Sequence, residues 1–164
     1  MKIARLDHLV LTVADVAKTC DFYTTVLGMD VVQFGKGRIA LRFGQQKINL
    51  HPADNIPGLV ADKPTCGSGD LCFITDTPIA EVVSHLGECD VPIITGPGPR
   101  AGAIGTITSV YVRDPDQNLV EISNYRLTCI PRRQEPASSL GGDSQIVGIH
   151  PTGTACAFPL RLSY

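Results

Sequence analysis

The chain reads as an α+β protein in which two paired βαβββ modules form a curved sheet cup. Three observations predict this fold class. The order strand, helix, three strands occurs twice; a Pro- and Gly-rich stretch separates the two occurrences; and polar residues fall at matching places inside apolar strands of both halves. One such unit has a single helix and an open sheet with one face uncovered, so two units bury that deficit against each other. The expected boundaries are 2–51 for module one, 52–69 for the linker, 70–126 for module two and 127–164 for an irregular C-terminal tail.

In module one, Ala4 to Val13 alternates as a strand, with Leu6, His8, Val10 and Thr12 on one face and Leu9, Leu11 and Val13 on the other. Asp15 is placed to cap a helix whose apolar residues Val16, Phe22, Tyr23, Val26 and Leu27 recur at helical spacing, and Gly28 supplies the left-handed position that ends it. Strands are expected at Asp30 to Phe34, Arg38 to Phe43 and Lys47 to His51, separated by turns at Gly35-Lys36-Gly37 and Gly44-Gln45-Gln46. Module two repeats the order. Asp70 to Thr75 is a strand, Thr77-Pro78 an N-cap and first helical residue, and Ile79, Val82, Val83 and Leu86 a helical stripe closed by Gly87. Strands follow around Val91 to Thr95, Thr106 to Arg113 and Leu119 to Tyr125, the last two joined by the turn Asp114-Pro115-Asp116-Gln117-Asn118. The tail from about Leu127 carries little periodicity until the apolar stretch Ala155 to Leu162.

Composition narrows the function classes. The chain has 164 residues, enough for one core, so disulfides are not needed to hold it. At 43% hydrophobic, 18% charged and a net charge of −2, it offers no electrostatic footprint for nucleic acid or an anionic membrane. No apolar run approaches the roughly 18 residues of a spanning helix, and the start turns to charge too early for a signal peptide, so the expected compartment is the cytoplasm. Cys20, Cys66, Cys72, Cys89, Cys129 and Cys156 lack Cys-x-x-Cys spacing and read as reduced packing thiols.

Two residues stand out against their strands. His8 lies among apolar neighbours, where its ring nitrogens need partners, and Glu121 sits between Val120 and Ile122, where an ionised carboxylate needs a cation or donors. Laying the modules over each other puts Asp70 on His8 and Val120-Glu121-Ile122-Ser123 on Ile48-Asn49-Leu50-His51. Equivalent positions converge on a pseudo-twofold axis, so His8, Asp70, Glu121 and a group from the fourth strand are the candidate metal ligands. Asn49 is the positional match to Glu121, whereas His51, on the same strand face, is the better transition-metal ligand; the choice between them, or water, stays open. Asp70 otherwise caps the turn after Gly67-Ser68-Gly69. Two histidines with carboxylates suit iron(II), manganese(II), nickel(II) or zinc(II). His85 is expected to be solvated, and His150 lies in the tail. Arg100, in a Gly- and Pro-rich loop, is a candidate grip for an anionic substrate group, and Tyr111 faces the cup or packs beside it.

The segments Leu6-Asp7-His8-Leu9-Val10-Leu11-Thr12-Val13 and Asp21-Phe22-Tyr23-Thr24-Thr25-Val26-Leu27-Gly28-Met29 resemble the opening of vicinal oxygen chelate proteins. Arg113-Asp114-Pro115-Asp116-Gln117-Asn118-Leu119-Val120-Glu121-Ile122-Ser123-Asn124-Tyr125 resembles their closing signature, with Gln117 where a glycine is usual. Within that superfamily, Phe43 to His51, Ser68 to Thr75 and Gly96 to Ala103 look like the glyoxalase domain-containing protein 5 group. The resemblance covers residues 2–126 and implies the glyoxalase/bleomycin resistance/dioxygenase-like fold, with a divalent metal between modules that chelates oxygens of a small substrate. His8 and Glu121 match its first and last ligand positions; Asn49 and Asp70 depart from the residues usual at the second and third. The implied activity is a metal-dependent lyase or isomerase, with Glu121 as the proton-transferring group. An iron-dependent ring-cleavage dioxygenase and a metal-free antibiotic-binding protein are the alternatives. The implied partner is a small oxygenated molecule, and members of this fold often form homodimers, sometimes completing sites across the interface.

Overall fold

The computed structural model describes residues 1–125; the expected tail, with His150, Cys129 and Cys156, lies outside them. The elements run β1 (His8–Val13), α1 (Val16–Leu27), β2 (Asp30–Phe34), β3 (Arg38–Phe43), β4 (Gln46–Pro52), β5 (Asp70–Ile74), α2 (Ile79–Glu88), β6 (Thr95–Gly102), β7 (Gly105–Arg113) and β8 (Leu119–Tyr125). They form two four-stranded sheets of identical topology, β1-β4-β3-β2 and β5-β8-β7-β6. Each has one parallel pair, β1 with β4 and β5 with β8, and two antiparallel ones. The strand-helix-strand-strand-strand repeat is therefore repeated in space. Its register is repeated too: Val10 lies opposite Asn49 as Cys72 lies opposite Glu121, and His8 opposite Lys47 as Asp70 opposite Leu119.

Alternation decides which face of each sheet is covered. Leu11, Val13, Leu41, Ile48 and Leu50 point to one side, where Tyr23 of α1 and Met29 join them in a buried cluster. In the second sheet Val110, Val112, Val120 and Ile122 pack with Val82 and Leu86 of α2. Each such side chain contributes on the order of 1.5–3 kcal/mol by leaving water. The two clusters are not separate. Val26 of α1 is buried in the second, while Leu71 and Phe73 of β5 pack against the first.

Helix α1 starts and stops as its sequence predicts. The Asp15 carboxylate accepts from the Lys18 amide at 3.1 Å, and Gly28, at φ 64°, turns left-handed so that its N–H returns to the carbonyls of Tyr23 and Thr24. Helix α2 differs from expectation. Pro78 itself is the capping position, in extended conformation and with no side-chain acceptor to cap the helix, while Thr75 Oγ1 accepts the Thr77 amide just before it; the helix runs past Gly87 to Glu88. The segment 91–94 is not a strand. Instead, the strand begins at Thr95 and runs through the Gly- and Pro-rich segment expected as a loop, making Thr95–Gly102 edge strand β6, paired with β7 across an irregularity between Thr95 and Gly98. An edge position leaves one side of the backbone unpaired, which is where Pro97 and Pro99 are tolerated. Arg100 consequently sits on a strand. No helix among the described residues is long and apolar enough to cross a membrane.

Candidate functional site

The face of each sheet away from its helix carries the polar residues. By the two-residue period this face shows His8, Val10 and Thr12 of β1 with Lys47, Asn49 and His51 of β4 in the first sheet. In the second it shows Asp70, Cys72 and Ile74 of β5, Glu121 and Ser123 of β8, Ser109 and Tyr111 of β7, and Arg100 of β6.

Glu121 is the centre of the second set. It lies directly across from Cys72 on one side and Tyr111 on the other. Ser123 Oγ is 3.3 Å from its Oε1, 2.8 Å from Ser109 Oγ and 3.6 Å from Cys72 Sγ; both serines are fully buried. Burial alone would raise the Glu121 pKa. Hydrogen bonds from Ser109, Tyr111, Cys72 and Ser123 together outweigh it and hold the carboxyl below its ordinary value. The donors respond in the opposite sense: burial, then the carboxylate, pushes the Tyr111 hydroxyl up, and burial raises the Cys72 thiol. The arrangement is an ionised acid surrounded by neutral donors that keep their protons. The Arg100 guanidinium carbon stands 5.3 Å from the centroid of the Tyr111 ring, so a cation borders the same patch.

The other expected ligands are distributed differently. His8 is about half exposed, with Nδ1 2.9 Å from the Asp7 carboxylate. His8 and exposed Asp70 border one groove of about 1100 Å³, together with Met29, Cys72 and Phe73. His51 is 8% exposed and borders a separate pocket; burial, then Arg38, lowers its pKa. Its Nδ1 and Asn49 Oδ1 are both buried without a hydrogen-bond partner. Such orphaned atoms suit a ligand or ion, but among the described residues no three His, Cys, Asp or Glu side chains gather around a common point. A single chain thus does not present the set of His8, His51, Asp70 and Glu121 as one metal centre. His85, expected in solvent, is exposed but places Nε2 3.1 Å from the Val26 carbonyl.

Reading strands by single conspicuous residues overlooked Ser109, Ser123 and Cys72. Each lies two residues from one already singled out, Tyr111, Glu121 and Asp70 respectively, so extending the period of two finds all three.

Two helix-backed sheets of one topology, each with a bare face that carries polar residues, define a paired-module α+β protein. The chain belongs to the Glyoxalase/Bleomycin resistance protein/Dioxygenase superfamily, whose family model matches residues 5–122. It is 54% identical over 125 residues to virulence protein STM3117 of Salmonella typhimurium, covering 76% of this chain and 87% of the relative. It is 52% identical over 126 residues to glyoxalase domain-containing protein RDO1 of Mycosarcoma maydis, covering 77% and 71%. Among solved structures, an integron cassette protein from the mobile metagenome of V. cholerae aligns with TM-score 0.75 at 56% identity, over 76% of this chain and 98% of that one.

Proposed function

We propose that the protein is an enzyme of the lyase or isomerase type that moves a proton on a small oxygenated acid bound against the bare face of the second sheet. The observation that carries this reading is the Glu121 carboxylate, kept ionised by Ser123, Ser109, Tyr111 and Cys72 and therefore ready to accept a proton. Arg100, beside Tyr111, supplies the charge that binds an anionic oxygen of the substrate and that offsets the oxygen charge developing as the proton leaves.

A second copy of the chain fits the open side of the site. β1 and β5 each have a single strand neighbour, and the apolar side chains Val10 and Ile74 on them are 44% and 50% exposed. Dimerisation through these edges covers both, and sets the His8 face of one copy against the Glu121 face of the other.

The test is a panel of small oxygenated acids, thiol adducts and catechols, assayed with and without added iron(II), manganese(II), nickel(II) or zinc(II). Turnover of an acid or adduct, lost in Arg100→Ala, supports the reading. Oxygen uptake with strict iron dependence points instead to ring cleavage. A second reading, sequestration without turnover, is favoured by Asn49, a neutral amide at the register position that matches Glu121; tight binding with no product under any metal condition decides for it.

A further inference from the structure

A second pocket, of about 290 Å³, lies at the end of the first sheet, where the β2–β3 turn, the end of β4 and the start of α1 meet. Its polar lining is Lys36, Arg38, His51 and Asn55, against apolar walls that include Ile39 and Leu50, and no carboxylate is among its described lining residues. The charge here is unbalanced. Neither Lys36 nor Arg38 forms an ion pair among the described residues, although Arg5, His8, Lys18 and Arg42 all do. Arg38 is held in place by other means: its guanidinium carbon lies 4.6 Å from the centroid of the Phe34 ring, which orients the fork without consuming its donors. On the strand beneath, His51 is more than nine-tenths buried and has a ring nitrogen with no partner.

We propose that this pocket binds a phosphate group, with Lys36 and Arg38 gripping its oxygens and His51 at its base. The two positive charges of Lys36 and Arg38 match the double charge of a phosphate better than the single charge of a carboxylate, and a guanidinium fork fits two of its oxygens at once. The site is independent of the Glu121 face, from which it differs in sheet, charge and lining.

Calorimetry on the whole chain at low ionic strength, with inorganic phosphate, glycerol phosphate and acetate as probes, tests it. Saturable one-to-one binding of phosphate or glycerol phosphate is expected, with acetate weaker. Tighter binding of the ester identifies the group as part of a larger ligand, and equal binding identifies free phosphate; both support the site. Arg38→Gln and Lys36→Gln change exposed side chains, so the fold should persist, as a thermal melt verifies; each should weaken binding roughly tenfold, whereas Glu121→Gln should leave it unchanged. No saturable binding of either phosphate probe, acetate binding as tightly, or affinity that falls in Glu121→Gln but not in Arg38→Gln overturns the proposal.

Discussion

The hydroxyl of Tyr23, in the middle of α1, donates to Asp114 Oδ2 at 3.0 Å, and both side chains are buried. This bond joins the helix of module one to the turn that precedes β8, and hence to the strand that carries Glu121. Asp114 also organises the turn itself, accepting from the amides of Asp116 and Asn118 and from Asn118 Nδ2 at 2.7 Å; Asn118 Oδ1 in turn accepts the Gly69 amide just before β5.

Replacing Tyr23 with Phe should therefore destabilise the protein, towards the lower end of the roughly 1.5–3 kcal/mol typical of bonds to a charged group, since Asp114 keeps three other donors. Urea unfolding measures this. Burial, then Asp114, raises the Tyr23 pKa well above its usual range, so the folded state prefers the neutral phenol. Its contribution is whole below the unfolded value of about 10 and declines as pH rises beyond it. The alkaline loss of stability should be smaller in Tyr23→Phe.

Gln117 occupies the same turn at φ 70°, a left-handed conformation that costs a side-chain-bearing residue roughly 1–2 kcal/mol. Gln117→Gly relieves that strain but adds backbone entropy to the unfolded chain, about 0.5–1 kcal/mol. The expected net effect is a gain of up to about 1 kcal/mol and a higher melting temperature. A fall in stability would mean that the Gln117 side chain makes a contribution that its position does not explain.

The hydrogen bonds that lower the Glu121 pKa fix the direction of a pH effect. A carboxyl with a depressed folded pKa contributes stability above its unfolded value of about 4.3, and that contribution is lost as pH falls through the folded value. Turnover that needs the ionised form should therefore keep its acid limb below the ordinary carboxylate range. Removing donors by a Ser123→Ala substitution should move this acid limb upward, which a pH–rate profile reads directly.

Val10→Asp places a charge on the exposed edge of β1 that the proposed second copy covers. Sedimentation should find the native protein dimeric and the variant monomeric, with little change in melting of the monomer fold. A native protein that stays monomeric at high concentration contradicts the edge-to-edge assembly.

Much of this fold was legible in residue order because local signals agreed with tertiary ones. The α1 boundaries at Asp15 and Gly28, the β2 and β3 limits and the repeat register pairing Asn49 with Glu121 all follow from caps, turns and alternation. β6 was not legible, because Gly96, Pro97, Gly98 and Pro99 are turn signals and only the availability of a sheet edge makes them a strand. The candidate site divides in the same way. Glu121 and Tyr111 share a face, as alternation along β7 and β8 lets one anticipate, whereas Arg100 joins them only because β6 is a strand. Where His8 and His51 lie relative to them depends on how two sheets are set together, and no spacing within a strand encodes that. His51 instead borders a pocket lined by Lys36 and Arg38.

The role of Glu121 is tested most directly by solvent hydrogen exchange into the acid or adduct that the panel identifies, comparing the native protein with Glu121→Gln. The amide has nearly the same shape but cannot accept the proton, so exchange and kcat should both fall roughly 100- to 10,000-fold while KM changes little. A variant that folds normally and exchanges at the native rate would show that the proton goes elsewhere.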